Sequence, residues 1–269
     1  MRIRSFAFDL LDRALTNADH LRLLRARKRR KRDGLISFSF PIATYERDDI
    51  LVERTIPSLL NQTYESFEVR IVHDGSAPSL RKRLDLFNDR RIFFEECKRP
   101  NYPTDPVNRW MCAGFLARNI GLKHSRNNWI YWMSDDDVLV SNALETLATV
   151  IADDEECELV YGDYLAWEGA SYVRKCEESE SLTFPMTGLP AIVIRRDIGF
   201  MKWRHWSWKK SWNRPSDYDL LHRLDRAGVR MRYVPRILAV SPPVGNTGLT
   251  GSAAHLAIAR SSGPVKGVK

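Results

Sequence analysis

Short apolar strands alternate with helical segments along the first half of this chain, and this alternation is the feature that most constrains its fold. Runs rich in β-branched and aromatic residues predict strands at 35–40, 67–73, 91–95 and 128–133. Helical periodicity fills the intervals between and after them, at 50–62, 78–88, 107–125 and 141–153. Strands and helices that alternate at this spacing predict βαβ units, an α/β fold and a parallel sheet.

Polar clusters follow three of the predicted strands, at 41–47, 73–76 and 134–137. In an open parallel sheet, ligands bind beyond the carboxyl ends of the strands. We therefore expect these three clusters to meet at one edge of the sheet and to form a binding site there.

The third cluster holds three adjacent carboxylates, Asp135, Asp136 and Asp137. Such carboxylates repel one another unless a cation or hydrogen-bond donors neutralise them. Mg²⁺ and Mn²⁺ prefer oxygen ligands, often one or two protein carboxylates together with substrate phosphates. Asp135 and Asp137 would share a side in extended backbone, but a turn would change this, so spacing does not choose the ligand. A solvated acidic loop or a helix cap is the alternative.

The second half predicts further strands at 158–162, 191–195, 230–234 and 237–240, and a helix over 217–227. Ahead of that helix, residues 202–212 are dense in tryptophan and basic residues. The flat rings of Trp203, Trp206 and Trp208 could stack on a ring-shaped ligand such as a sugar, or lie at a membrane interface. A helix packed on the sheet with a solvated basic side is the alternative.

Residues 1–34 carry most of the positive charge, with 11 Lys and Arg against 4 Asp, or +7 of the chain's +8. Because the body is nearly neutral, a nucleic-acid partner is not expected. Leucines at helical spacing precede a basic run, which predicts a separate basic amphipathic arm. It could be a packing helix with a solvated linker, or lie on an anionic membrane surface. The Gly- and Ser-rich segment 241–269 predicts a flexible tail.

The composition, with 43% hydrophobic and 28% charged residues, is that of a globular protein and excludes disordered and fibrous classes. Four cysteines without a CxxC pair exclude a disulfide scaffold and a zinc ribbon and fit a reducing compartment.

No apolar run is long enough to span a bilayer. A cytoplasmic location is expected, with peripheral contact at the inner membrane face left open.

Six motifs occur in one order over residues 35–240. They are Ile36 to Tyr45 with Glu46-Arg47, Asn61-Gln-Thr-Tyr64, Val72-His-Asp-Gly-Ser76, Ala117-Arg-Asn-Ile-Gly121, Ser134-Asp-Asp-Asp137 and Pro215-Ser-Asp-Tyr-Asp-Leu220. In this order the chain resembles the inverting GT-A glycosyltransferases of family 2. The resemblance implies a Rossmann-like nucleotide-sugar-binding fold with a mostly parallel sheet and helices on both faces. It also implies a donor-binding half over 35–140 and an acceptor-binding half over 141–240.

The resemblance also implies roles for single residues. Asp74 would bind the nucleobase or ribose of the donor, and Asp135 its ribose or sugar. The remaining donor-binding candidates are Thr44, Tyr45, Arg47 and Arg118. Asp136 would hold a divalent metal, Mn²⁺ or Mg²⁺, with Asp137 as a second candidate ligand. Asp217 would be the general base, with Asp219 as its near competitor, and Trp203, Trp206 and Trp208 would meet the acceptor.

The implied reaction moves a sugar from a nucleotide-diphospho-sugar, with a UDP-sugar favoured, to a saccharide, lipid-linked or protein acceptor. The chain departs from the family pattern at His73, Ser134, Ser216 and Glu46. An inactive relative that docks through its basic arm is therefore an alternative. A nucleotidyltransferase is a further rival, but residues 41–47 lack the Gly-rich phosphate loop that it would be expected to show.

Overall fold

A computed structural model describes residues 2–30, 34–168, 170–175, 189–210 and 215–243. Within these ranges nine strands form one mixed sheet, in the order β3-β2-β1-β4-β8-β6-β9-β5 with β7 paired to β6. The strands are β1 Phe38–Thr44, β2 Phe67–Asp74, β3 Ile92–Cys97, β4 Trp129–Trp132, β5 Val138–Leu139, β6 Leu159–Glu168, β7 Ser171–Lys175, β8 Ile192–Arg195 and β9 Met231–Ser241.

The helices of the described ranges are α1 Arg2–Arg29, α2 Asp48–Ile50, α3 Ile56–Leu60, α4 Pro78–Asp85, α5 Pro106–Cys112, α6 Phe115–His124, α7 Ala143–Asp153 and α8 Ser216–Arg226. A π-helical turn, Leu51–Thr55, joins α2 to α3. Pro57, the second residue after this turn, has no N–H to donate, so the widened turn occurs where an ordinary helical hydrogen bond is lost. Three single 3₁₀ turns lie at Leu189–Ala191, Arg196–Ile198 and Ser207–Lys209.

The block β3-β2-β1-β4 is parallel throughout, which confirms the α/β fold class. The sequence places the end of the first strand at Pro41, whereas β1 continues to Thr44 along β2. This prediction was wrong because β4 pairs with β1 only at Phe38 and Ser39. The N–H that Pro41 lacks is therefore not needed for a hydrogen bond to β4.

The second half of the sheet mixes directions, since β8 is antiparallel to both β4 and β6, while β9 is parallel to β6. The two halves that the resemblance implies, 35–140 and 141–240, thus share one continuous sheet in the described part of the chain. Two strands were expected over 230–240, but β9 is a single strand that passes through Pro235. A register shift opposite Gly162 and Asp163 accommodates this proline.

One long helix was expected over 107–125, but the chain forms α5 and α6 with a break at Gly114, whose φ is 71°. That left-handed conformation favours glycine and ends α5. The second helix packs closely on the sheet, because a Cβ at Gly121 would lie 2.9 Å from Cβ of Pro41. A side chain at position 121 would separate α6 from β1.

Of the two alternatives for the N-terminal arm, the described residues 2–30 form the packing helix, so this part of 1–34 is not a separate element. Leu23 is buried in the main core, and Asp12 is buried in an ion pair with Lys210 at 2.7 Å. Near the helix end, Arg27 donates to the buried Glu158 at 2.9 and 2.6 Å. Hydrophobic periodicity missed this docking because the buried face of α1 is largely polar.

The expected tail begins within the sheet, since Ser241 is the last residue of β9. Residues 244–269 of that prediction lie outside the described part of the chain. Across the described ranges, no helix combines the length and apolar character needed to cross a bilayer.

Candidate functional site

The polar clusters predicted at the strand ends meet at one edge of the sheet. Thr44 ends β1 and pairs in register with His73, one residue before Asp74 at the end of β2. The neighbouring strand β4 ends at Trp132, and the acidic turn 134–137 follows. Because β1, β2 and β4 are parallel, these ends lie side by side.

An arginine neutralises the acidic turn. Nη1 of Arg47 donates to Oδ2 of Asp136 at 2.6 Å and to Oδ1 of Asp135 at 3.2 Å. Burial raises the pKa of Asp135 to about 6, and the charge of Asp136 adds to this rise, while the charges of Arg47 and Arg118 oppose it. Arg47 and Arg118, both donor-binding candidates, therefore act electrostatically on the same carboxylate.

Asp137 is buried, and both of its carboxylate oxygens accept hydrogen bonds. Its Oδ1 accepts a hydrogen bond from Ser241, and its Oδ2 accepts one from the backbone N–H of Ser134 at 3.1 Å. Burial raises its pKa to about 7, and the charge of Asp136 contributes. One bond ties the turn to β9 through Ser241 and the other closes the turn on itself through Ser134, and the metal role of Asp137 stays a prediction.

The π-helical turn holds the backbone of the acidic turn. Oγ1 of Thr55 donates to the carbonyl of Asp135 at 2.9 Å, and Nη2 of Arg54 donates to the carbonyl of Asp136 at 2.8 Å. Sequence reasoning missed both residues. The one signal that could have found them was Pro57, since π turns are frequent at functional sites.

Asp74 is buried and held from the loop that follows β3. The hydroxyl of Tyr102 donates to Oδ2 of Asp74 at 2.5 Å and accepts from the backbone N–H of Gly114 at 3.1 Å. Burial raises the pKa of Tyr102, and the bond to Asp74 raises it further, so this hydroxyl stays a donor. Tyr102 was missed because its segment, 99–106, reads only as a proline-rich loop.

Tyr45 lies at the open side of this edge, with its ring exposed. The guanidinium carbon of Arg99 lies 3.3 Å from its ring centroid, which is a cation–π contact. Arg99 also lies 5.4 Å from the ring of Tyr102. An aromatic ring and a cation thus stand beside Asp74, a combination suited to a nucleobase and its phosphates.

His73, a departure from the family pattern, has a structural position. It is buried, and its Nδ1 lies within hydrogen-bond distance, 3.1 Å, of the carbonyl of Gly75. Its Nε2 lies 3.9 Å from Oδ1 of Asp48. The imidazole therefore fixes the turn after β2 and leaves Asp74 as the carboxylate of that turn.

Trp203 is not an acceptor platform. It is only 3% exposed and packs edge-on against Trp132, with ring centroids 4.9 Å apart. Asn119 fixes its backbone through two bonds, one to its carbonyl at 2.9 Å and one from its N–H at 3.0 Å. The high tryptophan content of this segment predicted stacking on sugar, but Trp203 packs in the protein core.

Trp206 and Trp208 are half-buried. Phe8 of α1 lies 5.5 Å from Trp206 between ring centroids, and Lys210 lies 5.3 Å from the same ring. The indole N–H of Trp208 donates to the carbonyl of His205 at 3.0 Å. Trp206 is therefore largely engaged by the protein, and Trp208 keeps more freedom to meet a ligand.

The two carboxylates of α8 differ sharply. Asp219 is buried and forms ion pairs with Lys210 and Arg223. Asp217, in the first turn, is half-buried, and its Oδ1 accepts the backbone N–H of Tyr218 at 2.8 Å. Asp219 is thus committed to the fold, which leaves Asp217 as the carboxylate of this turn that can receive a proton.

Topology places the C-terminal end of α8. β9 runs in the same direction as β4, so it begins at the edge of the sheet opposite to the one where β4 ends. A short turn links the end of α8 to the beginning of β9, so that end of the helix lies near the edge where β1, β2 and β4 begin.

The chemistry of the donor set suits an open cation site. Within the described ranges, no group of three or more His, Cys, Asp or Glu could hold a metal ion by itself. Asp136 and Asp135 present two adjacent carboxylates at the sheet edge. Mg²⁺ characteristically uses one or two carboxylates together with substrate phosphates, and these two residues fit that role.

Comparison with known proteins gives a family match and several relatives. The family model described as Glycosyl transferase family 2 matches residues 39–230. The Escherichia coli UDP-Glc:alpha-D-GlcNAc-diphosphoundecaprenol beta-1,3-glucosyltransferase WfgD is 25% identical over 152 residues, 56% of this chain and 54% of that protein. An uncharacterized glycosyltransferase of Rickettsia bellii is 31% identical over 115 residues, 42% of this chain and 14% of that protein. The chain thus spans about half or less of these relatives.

Solved structures resemble the fold. The S. aureus TarS 1-349 structure superposes with a TM-score of 0.57 at 14% identity, covering 77% of this chain and 60% of that one. The same protein in complex with UDP-GlcNAc gives a TM-score of 0.58 at 13% identity, covering 84% of this chain and 65% of that one. At these identities the likeness supports the GT-A-like fold alone.

Proposed function

This chain belongs to glycosyl transferase family 2, as the order of its motifs indicates, and on that premise we propose that it transfers a sugar from a nucleotide-diphospho-sugar to an acceptor hydroxyl. A UDP-sugar is the favoured donor. Support comes from the E. coli relative, whose name specifies UDP-Glc, and from the TarS structures in complex with UDP and UDP-GlcNAc.

One observation carries the proposal. Arg47 bridges Asp135 and Asp136 at the edge of the sheet where Asp74 also lies. A donor has a uridine, whose polar groups a buried carboxylate such as Asp74 can bind, and a diphosphate, which needs positive charge. Arg47 and Arg118 supply that charge beside the acidic turn.

Each of these residues has its own role in the proposed reaction. Asp74 binds the nucleoside, with the ring of Tyr45 and the Arg99 guanidinium beside it. Arg47 and Arg118 face the diphosphate, where negative charge grows as the glycosidic C–O bond breaks. Asp217 accepts the proton of the attacking hydroxyl. A single displacement with one base and no protein nucleophile inverts the configuration at the anomeric carbon.

A divalent cation, Mn²⁺ or Mg²⁺, fits beside these groups. Asp136 is the carboxylate proposed to hold it, with Asp135 as the neighbouring oxygen donor and the donor phosphates completing the set. When bound, the cation supplies Lewis-acid stabilisation of the leaving diphosphate. The protein's own part is to fix the turn, through Thr55, Arg54 and the two contacts of Asp137.

The proposed acceptor is a sugar hydroxyl on a lipid-linked or free saccharide. The name of the E. coli relative specifies a diphosphoundecaprenol acceptor, which favours the lipid-linked form over a protein. Trp208 and the basic residues around it are the proposed contacts for the acceptor sugar and phosphate. A cytoplasmic location accompanies this proposal.

A nucleotide panel tests the proposal. Thermal unfolding is followed with UDP, GDP, dTDP and CMP, each with and without Mn²⁺, since a ligand that binds the native state raises its apparent stability. We expect UDP to raise the midpoint most, and to need Mn²⁺ for its full effect. No shift with any nucleotide would contradict the proposal and favour a non-catalytic member of the family.

A further inference from the structure

Helix α1 docks on the domain by its polar face. Its buried residues include Asp12, Thr16 and Asp19, together with Leu23. Asp12 pairs with Lys210, whose side chain is completely buried. These side chains recur at helical spacing, so the ion pairs and Leu23 fix the rotation of α1 about its axis.

The opposite face of α1 is apolar and exposed. Phe6 is 63% exposed, Leu10 50% and Leu21 56%, and further exposed leucines are Leu11, Leu15 and Leu24. A helix of a globular protein normally buries its apolar stripe and exposes its polar one. The reversal in α1 leaves an interrupted line of large apolar side chains facing outward, with Phe6 and Leu10 near one end, Leu21 and Leu24 near the other, and Leu11 and Leu15 at its flank. Such exposed apolar side chains suit an interaction surface.

Cations border this line. Arg13, Arg22, Arg25 and Lys28 are exposed. The acidic residues Asp12 and Asp19 are turned inward and bound by the domain. The outward surface of α1 therefore combines apolar and basic side chains, whereas Asp12 and Asp19 lie on the other side and Asp9 is half-buried.

We propose that this face of α1, Phe6 to Lys28, docks the protein on a bilayer that contains anionic phospholipids. Apolar side chains flanked by Lys and Arg suit the boundary between acyl chains and anionic headgroups. Each basic residue near such a surface adds attraction. A second copy of the chain would instead bring two basic faces together, so charge complementarity favours the lipid.

The position of α1 links membrane docking to the proposed active site, and this link rests on the proposed function. Phe8 packs on Trp206, and Asp12 binds Lys210, which also binds Asp219 on the helix that carries Asp217. Docking by α1 therefore brings the proposed acceptor segment and the proposed base close to the lipid surface, where a lipid-linked sugar lies.

Vesicle co-sedimentation of the full chain tests the docking. One vesicle preparation contains phosphatidylglycerol with phosphatidylcholine, and the other contains phosphatidylcholine alone. We expect binding to the first and at least a tenfold weaker binding to the second. Raised salt should weaken the binding to the anionic vesicles, because their headgroup charges are screened. Equal binding to both vesicles, or none to either, would overturn the proposal.

Paired variants locate the surface. The double variant Leu10→Gln with Leu21→Gln should lose at least tenfold in vesicle binding, whereas Leu86→Gln, at an exposed leucine after α4, should bind as the wild type does. Arg25→Gln with Lys28→Gln should weaken binding more than Arg81→Gln with Lys82→Gln on α4. Circular dichroism and the UDP-induced thermal shift check that each variant keeps its fold and nucleotide site.

Light scattering tests whether a second copy of the chain, instead of a lipid surface, covers this face of α1. A wild-type dimer that Leu10→Gln with Leu21→Gln converts to a monomer, without vesicle binding by either protein, would overturn the lipid proposal and assign the face to a second copy. Loss of vesicle binding with an intact nucleotide shift supports docking independently of catalysis. Loss of the nucleotide shift in wild-type protein would instead count against the proposed function.

Discussion

The guanidinium of Arg47 lies 2.6 Å from Oδ2 of Asp136, a separation across which it donates a hydrogen bond. The same nitrogen reaches Asp135 at 3.2 Å, so one cation serves two adjacent carboxylates. A positive charge is thus part of the acidic turn in the protein itself. In the proposed function, this arrangement places a cation beside the carboxylates that would hold a divalent metal and the donor phosphates.

Replacing Arg47 tests whether its charge reaches the donor. Arg47→Ala should weaken UDP binding about 10- to 100-fold, since hydrogen bonds to charged groups contribute about 1.5–3 kcal/mol. Isothermal titration calorimetry measures this loss. The matched control, Arg81→Ala, removes an exposed arginine of α4 and should leave the affinity unchanged. Equal losses in the two variants would show a general charge effect and contradict the assignment.

Asp217 is expected to act on the acceptor and not on the donor. Asp217→Asn should keep UDP affinity within about twofold of the wild-type value while lowering turnover about 100-fold or more, the range of a missing general base. Turnover is followed as release of UDP from a UDP-sugar in the presence of an acceptor. A variant that retains full turnover would remove Asp217 from the mechanism.

Replacing Asp219, in contrast to Asp217, is expected to lower the stability of the fold. Asp219→Asn leaves the buried cations Lys210 and Arg223 without their carboxylate, and breaking a buried ion pair costs about 3–5 kcal/mol. Urea unfolding should report this loss of stability. Asp225→Asn, later in the same helix, is the control and should change stability little. Unfolding of Asp219→Asn at the wild-type urea concentration is the result that contradicts this role.

Gly121 is expected to be required for the contact of α6 with β1. A Cβ there would meet Cβ of Pro41 at 2.9 Å and its Cα at 3.2 Å. Gly121→Ala should therefore destabilise the protein by about 1–3 kcal/mol, the usual cost of overpacking. Gly34→Ala has no atom within 4 Å of the added methyl and serves as the control. Equal unfolding midpoints for the two variants would contradict the close packing.

The sequence predicts the parallel half of the fold because periodicity and strand-end polarity are local signals. Thr44, Asp74 and the acidic turn meet as expected, since parallel strands place their ends at one edge. The anchoring of Asp137 was not predictable from local signals. It depends on Ser241, 104 positions from Asp137 along the chain, whose hydroxyl takes up one of its oxygens.

Two further errors have the same physical origin. Tryptophan density before α8 does not distinguish a core ring from a ligand platform, and Trp203 turned out to pack on Trp132. The docking of α1 depends on ion pairs such as Asp12 with Lys210, which join distant parts of the chain. Hydropathy patterns carry no information on such pairs, so the sequence did not identify which face of α1 packs on the domain.

The central claim, a nucleotide-diphosphate site at the acidic turn, is tested most directly by titrating UDP with Mn²⁺ into wild type, Asp136→Asn and Asp153→Asn. Asp153, at the end of α7, is an exposed aspartate that serves as the matched control. We predict that wild type and Asp153→Asn bind UDP equally and that Asp136→Asn binds at least about tenfold more weakly, a difference of about 1.4 kcal/mol. Equal affinity of all three proteins for UDP, or no binding by the wild type, would contradict the claim.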